Sequence, residues 1–212
     1  MSKTTEQYYQ QVADMVVFPS FEFVAPYFQG RRVLDLGCGL GYYLRRFSAD
    51  SVGVEVSEPS LEACRRAGLN VLSADLNAPL PFADCSFDAV LCSHILEHVD
   101  APIVLLRECW RLLRPGGYLV IGVPTEGSIS RVLGDHYYRA HPGHIYGFSL
   151  NNLSVLLEKT DFTLEHVFVD FNLVGRFRLR RFLRFAQRLP ARWVLWCSNA
   201  YWVVGQKRSA SR

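Results

Sequence analysis

The chain has 212 residues, half of them apolar, which is enough to bury a full core as one domain. Its formal net charge is +3. Its six cysteines are scattered, with no C-x-x-C and no metal-type clustering, so we expect reduced thiols and no disulfide framework. Residues 1–11 lack the apolar core of a signal peptide, and the late apolar run 193–204 is too short to span a bilayer. We therefore expect a cytoplasmic location.

The first predicted element is N-terminal and helical. Within residues 5–28, apolar side chains recur at helical spacing from Tyr8 to Val16, and aromatic residues follow around Pro19 and Pro26. Such a helix can pack on a sheet or cover a ligand. Tyr8 and Tyr9 are candidate site residues on the second interpretation.

A glycine-rich turn organises the chain. Residues 33–36 read as a buried strand ending in Asp35-Leu36, and we expect a helix to begin near Leu40. Gly37, Gly39 and Gly41 carry no side chain, so a ligand can lie close to the backbone there. The amides of the following helix point at the same place. The pattern predicts a nucleotide-like ligand at the carboxyl end of a first parallel strand.

The glycine spacing indicates which ligand. The dinucleotide fingerprint is G-x-G-x-x-G, whereas here the third glycine comes one residue early. The turn resembles the first motif of class I S-adenosylmethionine (SAM) methyltransferases. Two later runs, L-P-F-x-D-x-S-F-D at 80–88 and L-R-P-G-G-x-L-x-I at 113–121, resemble their small-molecule branch, of the methyltransferase type 11 kind. The resemblance implies a Rossmann-like α/β fold with a seven-stranded, mostly parallel sheet of order 3-2-1-4-5-7-6 and helices on both faces.

Two acids after the turn fit the same cofactor. Glu55 ends a second strand about 20 residues past the glycines, where a carboxylate can accept both ribose hydroxyls; the alternative is a carboxylate that caps the helix at Glu58. The resemblance assigns Asp75 to the adenine amino group and Leu76 to the ring, although Asp75 could simply open a turn before Pro79. We predict that SAM, and its product S-adenosylhomocysteine (SAH), contact a set of residues along these strand ends: Asp35, Gly37, Cys38, Gly39, Gly41, Glu55, Val56, Asp75, Leu76, Ser93 and His94.

The segment after strand four carries candidate catalytic residues. His94, Glu97 and His98 stand at i, i+3 and i+4, so they can share one helical face. The segment resembles that of ubiquinone O-methyltransferases, in which an acidic cluster here has been associated with a divalent metal. His94 replaces one acid, and we predict no metal. His98 is a candidate general base, and the alternative is that Glu97 and His98 only hold the loop in place.

Residues 125–148 are rich in tyrosine and histidine, which suits a hydroxylated or aromatic acceptor. His144, just before a helix that begins after Ser149, is our second base candidate. The alternative is a histidine that is hydrogen-bonded within the loop and has no catalytic role.

The last fifth of the chain is basic. Residues 1–170 hold all 20 acidic residues and 13 of the 23 Lys and Arg residues, a net charge of −7, whereas residues 171–212 hold the other 10 basic residues and no acid. Six arginines lie from Arg176 to Arg188, beside an apolar helical face. We predict a basic amphipathic insertion at 172–198, and peripheral contact of residues 176–196 with an anionic membrane. The alternatives are closure of the acceptor pocket and, less favoured, RNA.

The sequence thus predicts one domain over residues 1–212, with cap helices at 1–28. We expect methyl transfer to a small molecule, at oxygen, with a lipid-linked compound or a saccharide as acceptor. Three alternatives stay open: a non-catalytic SAM-fold protein that binds a partner through its arginine-rich helix, a nicotinamide-dependent oxidoreductase and, less favoured, methylation of a protein or nucleic acid. Neither the oligomeric state nor the acceptor follows from the sequence.

Overall fold

The computed structural model describes residues 20–125, 144–170, 185–190, 194–195, 198 and 200–208. Within these ranges no helix combines the length and apolar character that a membrane crossing requires. The predicted site residues Tyr8 and Tyr9 lie outside the described residues, as do most of the arginine-rich segment and the tyrosines and histidines at 136–141.

The described strands form a single sheet. They are β1 (Val33–Leu36), β2 (Val52–Glu55), β3 (Val71–Ser73), β4 (Phe87–Ser93), β5 (Leu113–Pro124), β6 (Phe162–Asp170) and β7 (Ala200–Lys207). The sheet order is β3-β2-β1-β4-β5-β7-β6. All pairs are parallel except those of β7, which runs antiparallel to both β5 and β6. The predicted order is confirmed.

Four described α-helices connect the strands: α1 (Phe21–Val24), α2 (Glu58–Arg66), α3 (Pro102–Leu112) and α4 (Leu150–Lys159). A proline lies in the first turn of α3, where its missing N–H costs nothing. The Ser149 side chain caps α4 by accepting from the Asn152 amide. Short 3-10 turns lie at Ala25–Tyr27 and Leu44–Arg46.

Alternate residues of the strands face opposite layers. Leu34 and Val203 point into a core with the apolar faces of α3 and α4, whereas Val33 and Trp202 point into a second core with α1. Because both faces of the central strands are covered, these strands are apolar almost throughout. Helices on both faces are therefore confirmed.

One edge of the sheet collects the residues of interest. The parallel strands β1, β2, β3, β4 and β5 end at this edge, and β6 ends there too because β7 is antiparallel to both of its neighbours. The register aligns Pro124, Ala200 and Asp170 across it. Ligands of open α/β sheets bind at this carboxyl edge.

Two local predictions were wrong. The chain after the glycine turn forms only the 3-10 turn Leu44–Arg46, not a helix from Leu40, because three left-handed glycines interrupt regular helical dihedrals. His94 to His98 form a bend and a turn, not a helix, because His94 takes a left-handed φ of +54°.

Candidate functional site

The turn after β1 holds its glycines in the left-handed region, with φ values of +64°, +52° and +74° at Gly37, Gly39 and Gly41. L side chains rarely adopt this conformation. A Cβ at Gly37 would overlap the side chain of Ile95, and one at Gly41 would overlap Leu69. Two of the three glycines thus leave room for the protein's own side chains. The proposed contact of the three glycines with the cofactor stays a prediction.

Cys38 lies beneath this turn. Its amide donates to the Val54 carbonyl at 3.0 Å, and its carbonyl accepts from the Gly41 amide at 2.8 Å. The Cys38 side chain is buried against Gly53, where a Cβ would come within 2.6 Å of the sulfur. Cys38 therefore holds the turn on β2, and its predicted cofactor contact stays a prediction.

Glu55 is buried at the end of β2 with its carboxylate bound to backbone amides. Oε1 accepts from the amides of Val56 and Ser57 at 2.8 and 2.9 Å, and Oε2 accepts from the Gly39 amide at 2.9 Å. These bonds fix the carboxylate next to the glycine turn. A carboxylate has about four acceptor sites, so one remains for a ligand hydroxyl. Because Ser57 directly precedes α2, its bond to Glu55 also agrees with the alternative that Glu55 caps this helix.

The neighbouring crevice residues are partly apolar. Val56 is 72% exposed although it follows a buried strand directly. An exposed apolar side chain at this edge offers a surface that a flat ring could cover. Asp75 is exposed, and its Oδ1 accepts from the Asn77 amide at 2.9 Å, which makes the turn that the alternative expected. Leu76 next to it is half-buried.

Asp35 carries a buried carboxyl group. Its Oδ2 has no hydrogen-bond partner in the part of the chain that the structure describes, and only 2% of the residue is exposed. Burial, followed by the neighbouring Cys64 and Glu55, raises the pKa of Asp35 well above its ordinary value, although the Leu44 amide opposes this. A buried acceptor without a donor favours a cationic or hydrogen-bonding ligand nearby.

The chain bends sharply after β4. His94 has a left-handed φ of +54°, and its amide donates to the Gly122 carbonyl at 2.8 Å. Its Nδ1 lies 3.2 Å from Oε1 of the buried Glu97. Ser93 precedes it at the end of β4, half-buried. Although the predicted helix is absent, the turn still brings His94 and Glu97 together.

His98 and His144 come together although 46 residues separate them in the chain. Their ring centroids are 4.7 Å apart with an interplanar angle of 79°. The Ile145 amide donates to the Glu97 carbonyl at 2.8 Å, and the Tyr146 hydroxyl donates to the Asp100 carbonyl at 2.8 Å. These bonds hold residues 144–146 against the turn after β4. The structure thus joins the two predicted base candidates.

Glu97 completes a compact polar group with these two rings. Ligand atoms of Glu97, His98 and His144 all lie within 4.8 Å of one another. One carboxylate and two imidazoles form a donor set that a transition metal or zinc could use. The sequence-based expectation of no metal therefore stays a prediction.

Comparison with known proteins adds an independent observation. The family described as a methyltransferase domain matches residues 34–121. A ubiquinone biosynthesis O-methyltransferase of Methylococcus capsulatus is 39% identical over 98 residues, which are 42% of this chain and 41% of that protein. Residues 34–121 thus match a methyltransferase domain family, within a sheet of the order predicted for class I SAM-dependent methyltransferases. The glycine turn and the two acidic strand ends lie within or beside the matched part.

Two further relatives of this methyltransferase domain are informative. A fatty-acid O-methyltransferase of Mycolicibacterium smegmatis is 40% identical over 104 residues, 43% of this chain and 36% of that protein. The solved putative methyltransferase of Haloferax volcanii, in complex with the Trm112 methyltransferase activator, has a TM-score of 0.74, 18% identity and coverage of 97% of this chain and 95% of that one. It shows the same fold. The chain spans less than half of the length of these curated relatives.

SAM is the cofactor of this methyltransferase family, and the residues present fit it. The buried Asp35 oxygen has no hydrogen-bond partner among the described residues, and the Val56 side chain is exposed, so both are consistent with a bound ligand. Glu55 would accept a ribose hydroxyl at its one remaining acceptor site, and the turn at Gly39 would lie beside it. Cys64 beneath the turn was missed from the sequence, because no local spacing relates it to the turn. Glu97 was grouped with His94 and His98 from its spacing, and the structure adds His144 to Glu97 and His98.

Proposed function

We propose that this protein transfers the methyl group of SAM to an oxygen atom of a small-molecule acceptor, with His98 or His144 as general base. The observation that carries the proposal is the contact of these two imidazoles, 4.7 Å apart, beside the end of β4. Relatives named ubiquinone biosynthesis and fatty-acid O-methyltransferases support oxygen as the methylated atom. The family match gives the oxidoreductase and the non-catalytic alternative no support.

The chemistry leaves the chain two tasks. When bound, SAM supplies a methyl group on a positively charged sulfur, which needs no further activation. The chain must align the acceptor with that group, and it must remove a proton if the acceptor is a hydroxyl. A neutral imidazole can take this proton near pH 7, because the pKa of histidine lies close to that pH.

The Glu97 carboxylate lies beside the His98 and His144 rings, within 4.8 Å of a nitrogen of each. Burial by itself raises the pKa of Glu97, but the hydrogen bond and charge of His94, with a smaller effect of His98, hold it below its ordinary value. The carboxylate is therefore ionised at neutral pH although it is almost fully buried. A negative charge here stabilises the imidazolium that forms when a histidine takes the acceptor's proton.

Acceptor scope and histidine variants test the proposal together. Purified protein is incubated with SAM and either a phenol or a carboxylic acid, and SAH release is measured across the pH range. His98→Gln or His144→Gln should lower kcat on the phenol by about 100-fold or more. The matched control, His166→Gln, changes an exposed histidine on β6 that bonds to Tyr27. Equal rates for all three variants would exclude a histidine base.

A chelator separates a base from a metal. If the histidines act as bases, dialysis against EDTA leaves kcat unchanged. Loss of activity that a divalent cation restores would instead assign Glu97, His98 and His144 as ligands and contradict the metal-free prediction.

The basic segment near the site bears on the class of acceptor. We propose that the acceptor is lipid-linked or a saccharide, and that residues 176–196 contact an anionic membrane. Residues 171–199 join the end of β6 to the start of β7, and both ends lie at the carboxyl edge that carries the site. Gln187 bonds to both the amide and the carbonyl of Val169 at 2.9 and 2.8 Å, and Phe185 is 57% exposed. A tether and an exposed aromatic side chain at this edge suit an interfacial contact.

Liposome flotation tests the membrane proposal. Binding to anionic vesicles should weaken with salt, and Arg180→Gln/Arg184→Gln should reduce it by more than about tenfold. The matched control, Arg65→Gln/Arg66→Gln, removes two exposed charges from α2. If both double variants bind alike, or if neutral vesicles bind equally well, the segment has no such role.

The predicted domain organisation remains part of this proposal. Residues 1–212 form one domain, with 1–28 as a cap and 172–198 as an insertion. Packing of Phe21 and Val24 against the sheet supports it for the described part of the cap.

A further inference from the structure

Two thiols meet beneath the cofactor turn. The Cys64 Sγ lies 3.3 Å from the Gly39 carbonyl oxygen, and the Cys38 Sγ lies 3.9 Å from the same oxygen. Both sulfurs therefore lie beside the same acceptor, the Gly39 carbonyl oxygen. Cys64 comes from α2 and Cys38 from the turn after β1, so the pair links two elements that both border the crevice.

The two thiols differ in reactivity. The hydrogen bond from Cys38 lowers the pKa of Cys64; burial opposes this effect, and the charge of Arg45 adds to it. The pKa of Cys38 is raised by the same hydrogen bond and by burial. Cys64 is fully buried and Cys38 keeps 8% of its surface exposed, so a small oxidant reaches the pair from the Cys38 side. We assign the attacking thiolate to Cys64 because its pKa is the lower of the two, and the resolving role to Cys38.

Among the described residues, the other cysteines share no carbonyl acceptor in this way. Cys92 and Cys109 are fully buried in the apolar core, and burial raises the pKa of each. Cys85 is exposed near the Lys207 amine. The pair at the turn is therefore the one that links two elements bordering the crevice.

We propose that Cys38 and Cys64 form a redox modification site that switches cofactor binding off. Hydrogen peroxide is the oxidant. The Cys64 thiolate attacks one peroxide oxygen, the O–O bond breaks, and the released hydroxide takes a proton to become water. The Cys38 sulfur then attacks the sulfenic acid of Cys64 and displaces hydroxide, which takes the Cys38 proton and leaves as the second water. Two thiols and one peroxide give one disulfide and two waters.

The disulfide acts through Gly39. Its formation removes both S–H donors from the Gly39 carbonyl and draws the sulfurs to about 2.05 Å. The Gly39 amide at the same residue donates to Glu55. Because the turn is made of left-handed glycines, it deforms more readily than β1 or α2 and absorbs the movement. The Glu55 carboxylate and the turn then lose their common geometry, so SAM binds less well.

The experiment uses the full chain, hydrogen peroxide, and SAM binding by calorimetry. Peptide mapping should find a Cys38–Cys64 disulfide, and the Kd for SAM should rise about tenfold or more and return after dithiothreitol. By linkage, saturating SAH should lower the equilibrium fraction of the disulfide in a thiol–disulfide redox buffer. Cys64→Ser can still donate to the Gly39 carbonyl, and its affinity should not respond to peroxide. The matched control, Cys85→Ser, should respond as the unaltered protein does.

Each outcome decides the proposal. A mapped disulfide with unchanged SAM affinity would overturn the switch, and so would loss of affinity without a disulfide. Disulfides that form equally at Cys92 and Cys109 would show unfolding instead of a built site. None of these readouts needs the methyl acceptor, so the result is independent of the proposed reaction.

Discussion

The Glu55 carboxylate accepts a hydrogen bond from the Gly39 amide at 2.9 Å, so the acid that ends the second strand is fastened to the turn after the first. Turn and carboxylate therefore form one hydrogen-bonded unit. A change at either residue should disturb the binding of the cofactor to both.

Glu55→Gln tests this unit. The amide keeps the shape of the side chain, but its NH2 cannot accept, so a backbone N–H and a ligand hydroxyl lose their acceptor. We expect the Kd for SAM to rise by about 10- to 100-fold, as measured by calorimetry. The control is Glu58→Gln, an exposed acid paired with Arg65. Equal affinity of the two variants would remove Glu55 from the site.

Gly37→Ala tests the packing role of the glycines. The new Cβ meets a left-handed φ and also the Ile95 side chain. Gly30→Ala shares the left-handed φ, +67°, but nothing lies within 4 Å of its Cβ. We expect Gly37→Ala to lower the free energy of unfolding by about 1–3 kcal/mol more than Gly30→Ala in urea titrations. Adding Ile95→Val, which removes the overlapping Cδ1, should restore part of this difference; no recovery would contradict the packing argument.

Asp35→Asn tests the raised pKa of the buried carboxyl. Folded chains hold a proton on Asp35 at pH values where unfolded chains have lost it, so stability falls as the pH rises above the unfolded pKa. Asparagine has no proton to lose. Without SAM, the stability of the variant relative to the unaltered protein should rise with pH above the unfolded pKa of aspartate, by up to about 1.4 kcal/mol per pH unit. Urea titrations measure this, and the exposed Asp50→Asn should show no such trend. A constant difference would mean that Asp35 is ionised in the fold.

Ser20→Ala tests a buried polar link. The Ser20 hydroxyl donates to Asp170 and accepts from Nε1 of Trp202, at 2.7 Å for the second bond. All three residues are buried, so alanine removes one partner from each of two buried groups. We expect a loss of about 1–3 kcal/mol in the free energy of unfolding. The control, Ser154→Ala on α4, should stay within about 0.5 kcal/mol. A similar small effect for Ser20 would show that water replaces the link.

Much of the fold was readable because its signals are local. A short apolar run bounded by glycine or proline predicts a buried strand, and β1 was predicted at Val33–Leu36, where the structure has it. The errors lie where left-handed φ angles interrupt a helix that the sequence pattern predicted. Left-handed glycines after β1, and the left-handed His94 after β4, removed two predicted helical segments.

The site was predictable to a smaller extent. Glu55 was proposed from its position after a strand, and it does lie at the turn. By contrast, no local pattern relates His98 to His144, Cys38 to Cys64, or Ser20 to Asp170. The first pair meets where the Ile145 amide bonds to the Glu97 carbonyl and the Tyr146 hydroxyl bonds to the Asp100 carbonyl.

For this protein the sequence by itself determined the first strand and the place of the crevice, because apolar runs and glycine spacing are written in neighbouring residues; the strand order came from the resemblance to class I methyltransferases. Only the tertiary structure decided what the glycines pack against and which thiols and imidazoles meet. Those relationships depend on side chains that the packed core brings together from distant parts of the chain, and such pairings leave no trace in local spacing.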